Sequence, residues 1–138
     1  MRSSEEECRS RLGDATVARL STVRPDGAPH VVPITFALLG DALYFAIDHK
    51  PKSTTDLARL RNLRHEPRVA ILADGYDDDW SRLWWVRADG VGRELPLDER
   101  GPALEALGAK YPQYRDHRPH GPVVAVQIVR WTGWSAQA

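Results

Sequence analysis

The residue pattern predicts a mainly β fold, an antiparallel barrel of at least six strands with short helices. Three observations carry this. β-branched or aromatic runs recur at 15–23, 30–38, 43–47, 68–74, 80–89 and 123–134, with the composition that suits a pleated, half-buried surface. The first three runs are separated only by turn chemistry, as in hairpins. Finally, one crossover helix early in the chain is too few for a doubly wound sheet, which needs helices between most of its strands.

Taken in order, ATVARLSTV at 15–23 is β-branched and roughly alternating, RPDGAP at 24–29 supplies Pro and Asp-Gly turn residues, and HVVPITFAL at 30–38 returns as a second strand. Pro33 has no N–H for a central ladder, so this strand should show an open backbone edge or a bulge there. Gly40-Asp41 turns the chain into the apolar run LYFAI at 43–47. From Lys50 the period changes. Leu57, Leu60 and Leu63 recur every three residues with Arg59, Arg61 and Arg64 between them, so a helix presents one apolar and one basic face. Ser53 and Asp56 form an S-x-x-D start resembling a capping box, and Pro67 sets the end. RVAILAD at 68–74 reads as a buried strand. WSRLWWVRADG at 80–90 is a further long strand that can continue to Leu95. A weaker helix at 98–110 starts near Pro102, the loop at 111–122 has no period, and VVAVQIVRWTGW at 123–134 is the last strand.

The chain of 138 residues is of one-domain length, and a domain of this size buries roughly two thirds of its unfolded surface. Nineteen basic and nineteen acidic residues cancel, which removes the global electrostatic argument for nucleic-acid or membrane partners. Zero net charge also gives poor colloidal repulsion, a problem that an oligomer hiding apolar surface would relieve. Residues 1–13 carry three glutamates and no apolar core of a signal peptide, so they read as a flexible leader before a domain at 14–134, with the cytoplasm as the expected location. Cys8 lies in this leader and reads as an incidental thiol on a frayed terminus.

The strongest local candidate for a site is the helix start. Lys50 and Lys52 stand beside Ser53, Thr54 and Thr55, and oriented N–H groups, hydroxyls and lysine charge together suit a phosphate. The alternative is that the lysines are solvated and Ser53 only caps the helix. A second feature is Trp80, Trp84 and Trp85 within six positions. On one strand, alternate rings point to opposite faces, more than a small core absorbs, so a planar ligand or another subunit is expected beside some of them. Asp77, Asp78 and Asp79 read as a solvated turn and not as a metal site, because consecutive carboxylates do not converge on one ion.

Four segments, LSTVRPDGAPHVVPITF at 20–36, LYFAIDHKPKSTTDLARLRNLRHEPRVAIL at 43–72, DDDWSRLWWVRADG at 77–90 and IVRWTGW at 128–134, carry a family resemblance. Together, over about residues 14–134, they resemble the pyridoxamine-phosphate-oxidase-like split β-barrel superfamily. Within it they are most similar to actinobacterial deazaflavin (coenzyme F420)-dependent oxidoreductases. The resemblance implies a six-stranded split barrel that forms a homodimer with FMN or F420 in each of two clefts along the subunit interface. It places the cofactor phosphate at Lys52, followed by Ser53 and Thr54, with Lys50 where relatives carry the Ser of a Ser-Arg-Lys run. The tricyclic ring would lie along Val31, Val32, Pro33 and Ile34. Trp85 falls where pyridoxamine-phosphate oxidases have a ring-contacting Gln in Arg-Gln-Val-Arg, which here reads Trp84-Trp85-Val86-Arg87. Exchanging that polar pair for two tryptophans removes hydrogen-bonding capacity and adds apolar wall. The C-terminal Arg and His segment that holds pyridoxal phosphate in those oxidases has no match either. Both departures argue against vitamin B6 oxidation and for F420, whose phosphate and oligoglutamate tail would find further cations in Arg59, Arg61 and Arg82.

No side chain stands out as an obligatory acid or base, which suits hydride transfer to an electron-poor enone or imine, where the cofactor supplies the chemistry. Tyr76, Tyr111 and Tyr114 are either proton donors or rim and loop aromatics. FMN-dependent redox chemistry and a non-catalytic carrier or sensor of the same fold stand as the alternatives.

Overall fold

The computed structural model describes residues 1–47 and 54–137. The elements run α1 (Glu5–Asp14), β1 (Ala18–Val23), β2 (Pro29–Ile34), β3 (Ala37–Leu39), β4 (Ala42–Ala46), α2 (Thr54–His65), β5 (Arg68–Gly75), β6 (Trp84–Glu94), α3 (Gly101–Lys110), α4 (Pro112–Asp116) and β7 (Val123–Ser135). Seven strands among the described residues form one antiparallel sheet in the order β2-β1-β5-β6-β7-β4-β3. This is the mainly β, curled half-barrel with short helices that the sequence predicts, with one strand more.

The extra strand comes from the expected run at 30–38, which is not continuous. It breaks at Thr35-Phe36 into β2 and β3, and these occupy opposite edges of the sheet. Only two residues join them. Three Cα–Cα steps reach at most ~11 Å, whereas six strand spacings in a flat sheet would separate the edges by about 29 Å. The sheet must therefore curl until its edges nearly meet. Phe36, fully buried, enters the core at the crossing, and a hydrogen-bonded clasp from the α3–α4 junction holds the link. The Tyr111 hydroxyl accepts from the Phe36 N–H at 3.1 Å and donates to the Thr16 carbonyl at 2.9 Å, and the Thr35 and Tyr114 hydroxyls share a bond of 2.7 Å.

The inner face holds the main core, including Leu20, Phe36, Phe45, Ile71, Val86 and Val126. Helix α2 docks against β1 and β6, burying Leu60 and Leu63. A second cluster lies under α3, where Ala103 and Leu107 pack on Ala37, Ala46, Leu95 and Val123.

Residues 1–13 are not a flexible leader. Residues 5–14 form α1, opened by a capping box in which Ser4 accepts from the Glu7 N–H and the Glu7 carboxylate accepts from the Ser4 N–H. Cys8 and Leu12 are buried in the main core, so the frayed-terminus reading of Cys8 is corrected as well. Arg9 explains part of the docking. Its guanidinium donates to Asp41 at 2.7 and 3.1 Å, and Trp131 Nε1 donates to the same carboxylate at 3.1 Å. The signal lay in S-x-x-E at 4–7, but one buried turn among three glutamates leaves little apolar periodicity to read. Two smaller differences stand beside this. The loop at 111–122 contains the short α4, and Trp80 lies in a 3-10 turn at Trp80–Arg82, ahead of β6.

Candidate functional site

Strand β2 is an open edge, one of the two outcomes expected of Pro33, since among the described residues it pairs with β1 alone. Pro29, Val31 and Pro33 share one parity. Proline is tolerated in an edge strand where its nitrogen faces away from the ladder, so this parity presents backbone to the open side. Val31 is 61% exposed, an apolar side chain in water on an unpaired edge. Val32 and Ile34 have the other parity and turn inward. Val32 packs partly against the core and Ile34 is 4% exposed. Of the four β2 positions expected beside a ring, Val31 and Pro33 therefore offer side-chain surface, while the Ile34 side chain belongs to the core.

Helix α2 is fastened beside this edge through β1. Asn62 donates to Thr22 at 3.0 Å, and Thr22 stands opposite His30 of β2. Arg61 is exposed and Arg59 half-buried on the same helix. Lys50, Lys52 and Ser53 lie outside the described residues, as does the Thr54 side chain, so the expected phosphate contacts have no geometry to report. One residue that the sequence reading did not single out joins the group. Arg24, at the start of the β1–β2 turn, shares a hollow of about 310 Å³ with Arg61 and Asn62. Among the described residues neither Arg24 nor Arg61 forms an ion pair, and Asp26 lines the same hollow, so two guanidiniums and one carboxylate face one opening. The hairpin turn was legible, but its approach to α2 depends on the tertiary docking of that helix.

The tryptophans divide by parity as expected for consecutive strand residues. Trp84 packs partly against the core, and Trp85 stands on the outer face opposite Trp134 of β7, with the Arg87 guanidinium 6.0 Å from its ring centroid. Trp80, in the turn before β6, is 74% exposed. Arg82 of the same turn is exposed and lies 3.9 Å from Asp79. Strand β6 is three positions from β2 in the sheet, roughly 14 Å along its surface. Within one chain, then, Trp85 and the β2 edge do not share a wall.

Of the tyrosines, Tyr111 and Tyr114 are engaged in the clasp. Burial pushes the Tyr111 hydroxyl above its ordinary value. Tyr76 is 66% exposed. Lys110 sits over the Phe36 ring, 3.8 Å from its centroid, and burial lowers its pKa while Asp14 works the other way. No group of three His, Cys, Asp or Glu side chains among the described residues is placed to hold a metal, and no helix there is long and apolar enough to cross a membrane.

Comparison with known proteins gives one family. The family profile described as pyridoxamine 5'-phosphate oxidase matches residues 4–135. No curated protein matches the chain significantly. Among solved structures, a FAD-binding protein from Mesorhizobium loti is similar at 22% identity and a TM-score of 0.74, over 96% of this chain and 95% of that one. The FAD-binding protein from Mycobacterium smegmatis is similar at 22% identity and a TM-score of 0.66, over 97% of both chains. HutZ, the heme storage protein from Vibrio cholerae, is similar at 18% identity and a TM-score of 0.69, over 94% of this chain and 90% of that one. At these identities the likeness is one of fold.

Proposed function

Because the chain belongs to the pyridoxamine 5'-phosphate oxidase family, we propose that it is an oxidoreductase that binds a phosphate-bearing tricyclic cofactor, F420, in clefts between the two subunits of a homodimer. The observation that carries this reading is β2, an apolar edge strand open on one side, with two guanidiniums against one carboxylate, Asp26, on the hollow beside it. An exposed valine flanked by prolines offers a flat, apolar and hydrogen-bonding border to a planar ring, and Arg24 and Arg61 suit an acidic tail. The roughly 14 Å between Trp85 and that edge supports the dimer, because only a second copy brings a Trp85 wall toward the β2 of its neighbour.

In this reading Lys50, Lys52, Ser53 and Thr54 hold the phosphate at the start of α2, and Val31 and Pro33 border the ring. Trp85 of the neighbouring subunit excludes water from it, and Arg59, Arg61 and Arg82 draw the tail. Reduced F420 supplies a hydride, and an electron-poor double bond of a small organic molecule, such as an enone or imine, accepts it. The chain's own contribution is orientation, desolvation and positive charge. Tyr111 and Tyr114 are committed to the clasp, so solvent or the exposed Tyr76 delivers the closing proton.

A flavin in place of F420 is the second reading, favoured by the two FAD-binding proteins of similar fold. Non-catalytic binding is the third, and the heme storage protein of similar fold speaks for it. Fluorescence titration of wild type, K52A and W85A with F420 and with FMN separates them. F420 affinity should fall about ten- to a hundredfold in K52A with the fold intact. Tighter binding of FMN than of F420 overturns the cofactor, and a sedimenting species of monomer mass with cofactor bound overturns the intersubunit cleft. Cofactor binding with no turnover of any enone or imine offered leaves a carrier.

A further inference from the structure

A second concave site lies away from β2 and α2, between the outer face of β4, β7 and β6 and the start of α3. Its volume is about 380 Å³, within the range of cavities that take small organic ligands. The floor is made by two rows of residues in adjacent register, with small side chains at Ala42 and Ala125. Ala42 stands opposite Gln127, which stands opposite Val91, and one step along Tyr44, Ala125 and Arg93 form the next row. Ala103 and Pro102 of α3 form the wall. Larger side chains at Ala42 or Ala125 would fill this space, as a packed surface under a helix ordinarily does. The opening exists because three alanines from three elements meet there.

The polar groups around it are few and convergent. Arg93 meets Glu99 at 3.3 Å, and both side chains are more than half exposed. Such a pair contributes little to stability and exchanges partners readily. The Tyr44 hydroxyl makes no hydrogen bond among the described residues, and Gln127 reaches only the Asp41 carbonyl, at 3.5 Å. The neighbouring Arg100, by contrast, is committed. It donates to the Leu95 and Gly121 carbonyls and pairs with Glu94. One exchangeable guanidinium, an unpartnered phenol and an apolar floor make a defined chemical environment.

We propose that this pocket binds a small aromatic carboxylate, its ring on Ala42 and Ala125 and its carboxylate taking the place of Glu99 on Arg93. A planar guanidinium accepts a carboxylate in two parallel hydrogen bonds, which a neutral ligand of the same shape does not offer. The Tyr44 hydroxyl donates the third contact. The pocket shares no residue with the cofactor site proposed above, and it stands or falls separately.

The test uses the full chain without cofactor, titrated with 2-naphthoate and with neutral 2-naphthalenemethanol by calorimetry and amide NMR. Naphthoate should bind saturably, shifting the amides of Ala42, Ala103 and Ala125, and bind about tenfold tighter than the alcohol. Arg93→Gln should abolish that preference while leaving alcohol binding unchanged. Ala125→Leu should block both ligands, with Ala42→Val as the second filling variant if the first does not fold. Absence of saturable naphthoate binding by wild type overturns the proposal. Equal affinity of the two ligands overturns the role of Arg93, and undiminished binding in a folded filling variant places the ligand elsewhere.

Discussion

Asn62 of α2 donates its side-chain amide to the Thr22 hydroxyl of β1 at 3.0 Å, and the two residues are 2% and 1% exposed. This buried polar contact sets how α2 sits on the sheet, and with it where Arg61 stands relative to Arg24. Asn62→Ala removes the donor and leaves a small void, and should cost about 1–3 kcal/mol in urea denaturation. In a double-mutant cycle with Thr22→Val the two losses should fall short of adding. Strict additivity would show that the contact does not couple the elements.

Tyr111 closes the short link between the two sheet edges. Tyr111→Phe keeps the ring against Tyr114, whose centroid is 5.6 Å away in an edge-to-face arrangement, but removes the acceptor for the Phe36 N–H and the donor to Thr16. A loss of about 1–3 kcal/mol is expected for the unpaired groups. Hydrogen exchange at the Phe36 amide should accelerate more than at core amides of β6. Unchanged exchange there would mean that the clasp is dispensable.

Gly133 of β7 lies against α1 so closely that an added Cβ would fall 2.6 Å from Cys8 Sγ and 3.2 Å from the Trp85 carbonyl. Gly133→Ala should destabilise by about 1–3 kcal/mol through overpacking. Cys8→Ala in the same chain should restore part of the loss, because it removes the nearer atom. If the two changes add as independent losses in thermal unfolding, α1 does not pack there.

The Asp41 carboxylate accepts hydrogen bonds from Arg9 and Trp131, which hold its pKa below the ordinary 3.8. A depressed carboxylate stabilises the fold above its unfolded pKa and loses that contribution as the pH falls through the folded value. The stability difference between wild type and Asp41→Asn should therefore be constant near neutrality and shrink below about pH 4. Glu66, held at about 2 by the Arg68 guanidinium, should lose its own contribution as the pH falls from about 4.5 toward that value. A difference that stays flat into strong acid would assign the Asp41 effect to something other than its charge.

The sequence by itself determined the strand and helix inventory from β1 to β7, apart from the break at Thr35-Phe36 and the short α4, because period-2 alternation, Leu spacing and Pro or Gly punctuation are local properties. It also narrowed β2 to an edge or a bulge at Pro33, since a proline inside a strand leaves few other places for it, and the sheet order selects the edge. The parity of Trp84 and Trp85 followed for the same reason. Only the tertiary structure decided that the run at 30–38 splits between opposite edges, because curling is a property of the whole sheet and two connecting residues carry no sign of it. It decided that residues 5–14 are a docked helix, as Cys8 becomes an apolar anchor only where Gly133 leaves room for it. It likewise brought Arg24 to Arg61 and assembled Ala42, Ala125 and Ala103 into one hollow. Those meetings join residues tens of positions apart, and no periodicity within the chain encodes a contact between elements that only the closed sheet makes adjacent.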